Sequence, residues 1–147
     1  VRVKIMGERS RVSKEVLDMI AYIEETTADA ERLTLVLAFN YSSRREITLG
    51  VQDIARRVAN GTLKAEDINE QTIAESLMTA QMPDPDMIIR TSGECRLSNF
   101  LLWQSSYAEF YFPETLWPDF TEEEFDKAIE VFSKRDRRYG LVTETKE

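Results

Sequence analysis

The run Leu33-Thr-Leu-Val-Leu-Ala-Phe-Asn-Tyr41 constrains this chain more than any other stretch. It is apolar almost without a break, which suits a strand covered on both faces, as in a parallel sheet. Helical patterns lie on either side of it. Upstream, Val16, Met19, Ile20 and Ile23 share one face of a helix that Ser13 caps. Downstream, Ile47, Val51, Ile54 and Val58 line a second helix that Asn60-Gly61 ends, and a polar helix follows over about Asn69 to Leu77. Val1-Arg-Val-Lys-Ile-Met-Gly7 alternates as a strand, and Met87-Ile-Ile-Arg-Thr91 reads as another beyond Pro83 and Pro85. Strand and helix patterns thus alternate. The expected class is α/β, a mainly parallel sheet flanked by helices.

The last third follows the same logic. Phe100 to Phe112 is expected to begin as a helix and end as a short strand. A final helix starts at Thr121, which forms a capping-box pattern with Glu124, and Phe125, Ala128, Ile129 and Phe132 make its buried stripe. Lys134, Arg135, Arg137 and Arg138 fall in or past its last turn, where cations suit the helix dipole.

Composition narrows the function. With 147 residues, 42% of them hydrophobic, a single domain over 1–147 is expected. Acidic residues outnumber basic ones, 27 to 19, and the net charge of -8 disfavours a nucleic acid partner. One cysteine and no histidine exclude an internal disulfide, a zinc centre and a histidine-based triad from these residues, and fit a reducing, cytoplasmic setting. No run approaches the roughly 20 apolar residues that span a bilayer, so a membrane would meet this chain only at its surface. Val1 already stands within a strand pattern, and the expectation is that these residues begin inside a longer domain.

The chemistry concentrates in Ile88-Ile-Arg-Thr-Ser-Gly-Glu-Cys-Arg-Leu-Ser-Asn-Phe-Leu-Leu-Trp-Gln104. In an open parallel sheet, ligands bind beyond the carboxyl ends of the strands, and Arg90 lies at such an end. Thr91, Ser92 and Gly93 let an anion approach the backbone, and Arg96 returns a second guanidinium six residues later. Ser98 and Asn99 are expected at a helix start, where free N–H groups favour negative charge. Taken singly, each residue reads as well as a surface ion pair, a cap or a turn. Together they favour an anion site for a ligand with more than one negative group, such as a pyrophosphate.

These residues, followed by Tyr107-Ala-Glu109 and Leu116-Trp-Pro-Asp-Phe120, resemble the C-terminal motif region of the cis-prenyltransferase family, the bacterial undecaprenyl pyrophosphate synthases in particular. Phe39-Asn-Tyr-Ser-Ser-Arg-Arg-Glu-Ile47 resembles the family's Asn-Tyr-Gly-Gly-Arg-x-Glu/Asp-Ile segment, with Ser42 and Ser43 in place of glycines. Ile5-Met-Gly-Glu8 and Arg137-Arg-Tyr-Gly140 extend the resemblance over essentially the whole chain.

The resemblance implies that Arg90, Arg96 and Ser98, with Asn40 as a further contact, bind the pyrophosphate of isopentenyl pyrophosphate, and that Glu109 helps hold Mg²⁺. It implies condensation onto an allylic pyrophosphate such as farnesyl pyrophosphate, giving a polyprenyl (undecaprenyl) pyrophosphate for the cell-wall lipid carrier, and contact with membrane only through that product. It further implies a homodimer, with Arg138 and Gly140 of the tail reaching the partner's site. Leu35, Leu37 and Phe39 stand as candidate tunnel lining, with ordinary core the favoured reading. The family's catalytic aspartate lies in an Asp-Gly-Asn-x-Arg motif, and none of the five glycines here follows an aspartate. No catalytic residue is therefore assigned within these residues, and the chain is expected to be inactive alone. The alternatives are a non-catalytic binding or dimerisation subunit, and an unrelated phosphate-ester enzyme on an α/β sheet.

Overall fold

A computed structural model describes residues 1–135. They fall into two compact units, Val1–Pro83 and the part of Asp84–Glu147 that is described. The first holds β1 (Arg2–Met6), α1 (Lys14–Thr26), β2 (Thr34–Ala38), α2 (Ser43–Ala59) and α3 (Glu70–Glu75); the second holds β3 (Met87–Ile89), β4 (Glu109–Tyr111) and α4 (Glu122–Ser133). Each unit carries a two-stranded parallel sheet, β1 with β2 and β3 with β4. The α/β class and the parallel pairing are as the sequence patterns require.

In the first unit β1 and β2 pair from Arg2 opposite Thr34 to Met6 opposite Ala38. The other edge of β1 is closed by side chains of α1 and its C-cap rather than by a strand. Val3 N–H donates to Thr27 Oγ1 at 3.0 Å and Ile5 N–H to Glu24 Oε1 at 2.9 Å. Glu24 Oε1 and Oε2 also accept from Arg9 Nη2 at 3.0 and 2.9 Å. Burial raises the Glu24 pKa, but the Ile5 N–H and Arg9 outweigh it and hold the carboxyl below its ordinary range.

β2 differs from expectation. Leu35, Leu37 and Phe39, which alternate onto one face, are 46%, 48% and 50% exposed, and Thr34 and Ala38 on the other face are exposed too. Only Val36 is partly covered, and among the described residues this apolar run, which reads as a central strand, pairs with one neighbour, β1. The outward N–H groups of Thr34, Val36 and Ala38 likewise have no partner among the described residues.

The helices bury narrower stripes than their apolar periodicity suggests. Ser13 caps α1 weakly through Val16 N–H at 3.5 Å, and Ile20 is buried, but Met19 points to solvent at 61% exposure. In α2 Ile54 is buried while Val51 is exposed, because the inward face turns through Ser43, Glu46 and Gly50 instead. Gly50 allows α3 close: a Cβ there would sit 3.0 Å from Ser76 O. Glu46, only 1% exposed, accepts from Tyr41 Oη at 2.6 Å and from Met78 N–H at 2.9 Å, tying α2 to the segment after α3. Asn69 and Thr72 form a reciprocal cap on α3.

In α4 only Ala128 of the expected stripe is fully buried, with Phe132 half-buried and Phe125 and Ile129 exposed. The capping box at Thr121 does not form. Its hydroxyl bonds Glu123 Oε2 at 3.0 Å, while Glu124 is drawn to Lys127 and accepts from Thr115 Oγ1 at 3.2 Å. Among the described residues no helix is long and apolar enough to cross a membrane.

Candidate active site

The second unit builds the loop that follows β3. Pairing of β3 with β4 sets Ile89 opposite Tyr111, and Arg90 N–H continues the ladder to Tyr111 O at 3.0 Å. Ser92 N–H to Thr115 O at 2.9 Å and Gly93 N–H to Pro113 O at 2.8 Å then pin the turn along the chain that leaves β4. Ser92 and Gly93 both have positive φ, at 71° and 64°, a turn that small residues tolerate.

Arg90 closes this loop. Its Nη1 donates to Arg96 O at 2.6 Å and to Ser98 Oγ at 3.0 Å, so the Arg90 guanidinium meets the Arg96 main chain and the Ser98 hydroxyl rather than the Arg96 guanidinium. With Nη1 held internally, the Nε and Nη2 edge of the guanidinium remains as a planar fork for a bidentate anion. Arg96 forms an ion pair with Glu94, which an anionic ligand would have to displace.

Ser98 does not start a helix. Ser98, Asn99 and Leu101 have φ of 49°, 64° and 45°, in the left-handed region where a right-handed helix cannot begin. Turns occupy the stretch up to β4. Within these turns Ser105 N–H and Oγ both bond Leu101 O, at 2.9 and 2.5 Å, and Ser106 Oγ bonds Trp103 O at 2.6 Å. The donors gathered in this loop are therefore guanidinium and hydroxyl groups, without a helix dipole behind them.

Glu109 is the first residue of β4 and lies opposite Met87. Arg90 lies three residues beyond Met87, just past the end of β3, a separation of about 10 Å at the usual strand rise. Glu109 N–H bonds Asp86 O at 2.9 Å, and its Oε2 meets Arg135 Nη1 at 2.5 Å, just beyond the end of α4. Among the described residues no group of three or more carboxylates or thiols converges on one point. A single carboxylate suits Mg²⁺, which takes one or two protein carboxylates and completes its shell with phosphate oxygens and water. The donor set fits that ion and does not form a closed protein cage.

Asn40 belongs to the first unit, at the end of β2, with φ 51°. Its Nδ2 donates to Glu8 O at 2.7 Å, and its own carbonyl accepts from Glu8 N–H at 3.2 Å. One amide hydrogen and the carboxamide oxygen remain for a ligand. Glu8 is held in turn by Arg45, whose Nε and Nη2 each donate at 2.8 Å, and by Ser10 Oγ at 2.6 Å. Arg45 first, then Ser10, lower the Glu8 pKa from 4.5 to about 2. Gly7 permits the approach of the two strand ends, with φ 141° and its missing Cβ position 1.8 Å from Phe39 O. The Glu8–Arg45 pair, Glu46 and Arg135 were not visible as partners in the sequence, since nothing in their spacing relates them. Arg138 and Gly140 lie outside the described residues.

A family model described as "Putative undecaprenyl diphosphate synthase" matches residues 1–140. The chain belongs to this prenyltransferase family. It is 51% identical over 144 residues to an isoprenyl transferase of Agrobacterium fabrum, covering 98% of this chain and 58% of that one. It is 45% identical over 144 residues to the ditrans,polycis-undecaprenyl-diphosphate synthase of Vibrio vulnificus, specific for (2E,6E)-farnesyl diphosphate, covering 98% and 57%. Among solved structures, lavandulyl diphosphate synthase from Lavandula x intermedia in complex with dimethylallyl diphosphate aligns with a TM-score of 0.92 at 37% identity, over 95% of this chain and 60% of that one. A probable undecaprenyl diphosphate synthase from Campylobacter jejuni aligns with a TM-score of 0.80 at 38% identity, over 95% and 63%. This family member thus spans about three-fifths of the length of the relatives it matches.

Proposed function

We propose that this chain supplies the isopentenyl diphosphate side of a cis-prenyltransferase that extends an allylic diphosphate in the cytoplasm. The observation that carries this reading is Arg90, anchored through Nη1 to Arg96 O and Ser98 Oγ at the carboxyl end of β3, with its other edge left for a diphosphate. Arg96 joins it by exchanging Glu94 for the ligand, and Ser98 orients Arg90 and adds a hydroxyl. Asn40 contributes its remaining amide hydrogen or carboxamide oxygen to a substrate contact. The names of the relatives support the substrate class, since one is specific for farnesyl diphosphate and another was solved with dimethylallyl diphosphate.

Glu109 is the protein carboxylate assigned to Mg²⁺, which when bound neutralises charge developing on a departing diphosphate. Arg90 and Arg96 fix the diphosphate of the condensing unit, so that its double bond meets the allylic carbon from a set direction. Leu35, Leu37 and Phe39 form an exposed apolar row on one face of β2, ending beside Asn40, and that row is suited to an isoprenoid chain. The active protein is proposed to be a homodimer, with Arg138 and Gly140 near the partner's site. Contact with the membrane arises through the product.

Calorimetric titration of isopentenyl diphosphate into the chain and its Arg90→Ala variant tests the assignment. Loss of the charged hydrogen bonds should weaken binding about 10- to 100-fold, from roughly 1.5–3 kcal/mol. Equal affinity would remove Arg90 from the site. Incubation of this chain alone with isopentenyl and farnesyl diphosphates and Mg²⁺ should give no polyprenyl product, because no Asp-Gly-Asn segment is among its residues.

A further inference from the structure

The geometry points to Arg135 as a built-in counter-cation that occupies the Glu109 carboxylate and weakens its hold on a divalent metal until an anionic ligand arrives. The inference rests on the reading of Glu109 as the metal carboxylate and adds a regulating residue to it. Arg135 stands two residues past the end of α4, and its backbone N–H is fixed to Phe132 O at 3.1 Å. Its neighbour Lys134 turns back to its own helix, pairing with Glu130. Arg135 instead reaches across 26 residues of sequence, and its Nη1 meets Glu109 Oε2 at 2.5 Å.

Two cations compete for one carboxyl group under this arrangement. A metal held by Glu109 would share that carboxyl group with the guanidinium, and like charges so placed repel even in bulk water. Salt and solvent reduce this, since the pair is partly exposed, at 40% for Arg135 and 25% for Glu109. The same guanidinium also draws negative charge from the carboxylate. Metal uptake at Glu109 is therefore favoured when a diphosphate adds negative charge to offset Arg135, which couples the ion to substrate rather than to the empty chain. A guanidinium that merely oriented Glu109 for the metal would have the opposite effect when removed.

Titration with Mn²⁺ as the probe, reading free ion by electron paramagnetic resonance, separates these cases without relying on turnover. In the ligand-free chain Arg135→Gln should tighten the strongest Mn²⁺ site about three- to tenfold. Arg135→Lys, which keeps the charge, should remain near the parent, and thermal melts of both variants establish that each is folded. Glu109→Gln should weaken the site, and adding Arg135→Gln to it should then change nothing further. An Arg135→Gln chain that binds Mn²⁺ as the parent does, or more weakly, overturns the inference while leaving Glu109 as a ligand. Unchanged binding in Glu109→Gln overturns both.

Discussion

The loops at the carboxyl ends of β1–β2 and of β3 occupy equivalent positions on parallel strands, yet they are finished in opposite ways. After β1 and β2, Asn40 and Arg45 both bond Glu8 where Gly7 lets the strand ends approach, and the one acidic group has its own guanidinium fork. After β3, Arg90 is tied down by neutral acceptors, a carbonyl and a hydroxyl. Neutral acceptors position a cation without cancelling it. The difference separates a loop whose charges are paired internally from one in which the Arg90 charge is held by neutral groups.

The largest effect should come from the tighter loop. Gly7→Ala would drive a Cβ into Phe39 O at 1.8 Å in a backbone conformation reserved for glycine, and should cost about 3 kcal/mol or more in denaturant unfolding. A loss below 1 kcal/mol would mean that the strand ends are not held this closely. Glu46→Ala comes next, at about 2–3 kcal/mol, because Met78 N–H loses its buried acceptor; Glu46→Gln should recover most of this, with its oxygen on Met78 and its amide on the Tyr41 hydroxyl.

The open loop should respond in binding more than in folding. Arg90→Lys keeps the charge but loses the fork, and isopentenyl diphosphate affinity should fall about tenfold with little change in the thermal midpoint. A large fall in midpoint would instead make Arg90 a structural residue like Arg45. The smallest effect is in pH. Glu8 has a folded pKa of about 2 against an ordinary 4.5, so its contribution is present above pH 4.5 and is lost as pH falls toward 2. Glu8→Gln should flatten the acid limb of the stability profile over that window, as followed by circular dichroism.

Much of this was legible from residue order. β1, β2 and β3, the C-terminal end of α2 and the meeting of Arg90 with the Arg96 to Ser98 stretch follow from periodicity, turn residues and a six-residue spacing. Where the reading failed, a local rule met a competing partner. Thr121 and Glu124 have the letters of a capping box, but Lys127 and Thr115 lie within reach of Glu124 and take it. Phe100 to Trp103 has helical composition, but positive φ through Ser98, Asn99 and Leu101 breaks the first turn. Met19 and Val51 match a helical apolar face, yet which arc of a helix is covered depends on what packs against it.

The sequence by itself determined the α/β class and the family, because each rests on short-range pattern. Only the tertiary structure decided that side chains of α1 and its C-cap close the outer edge of β1, that Glu46 is buried between α2 and the segment after α3, and that Arg135 sits on Glu109. Those contacts join residues 19 to 32 positions apart, and a hydrogen bond across such a span depends on how the elements between them pack.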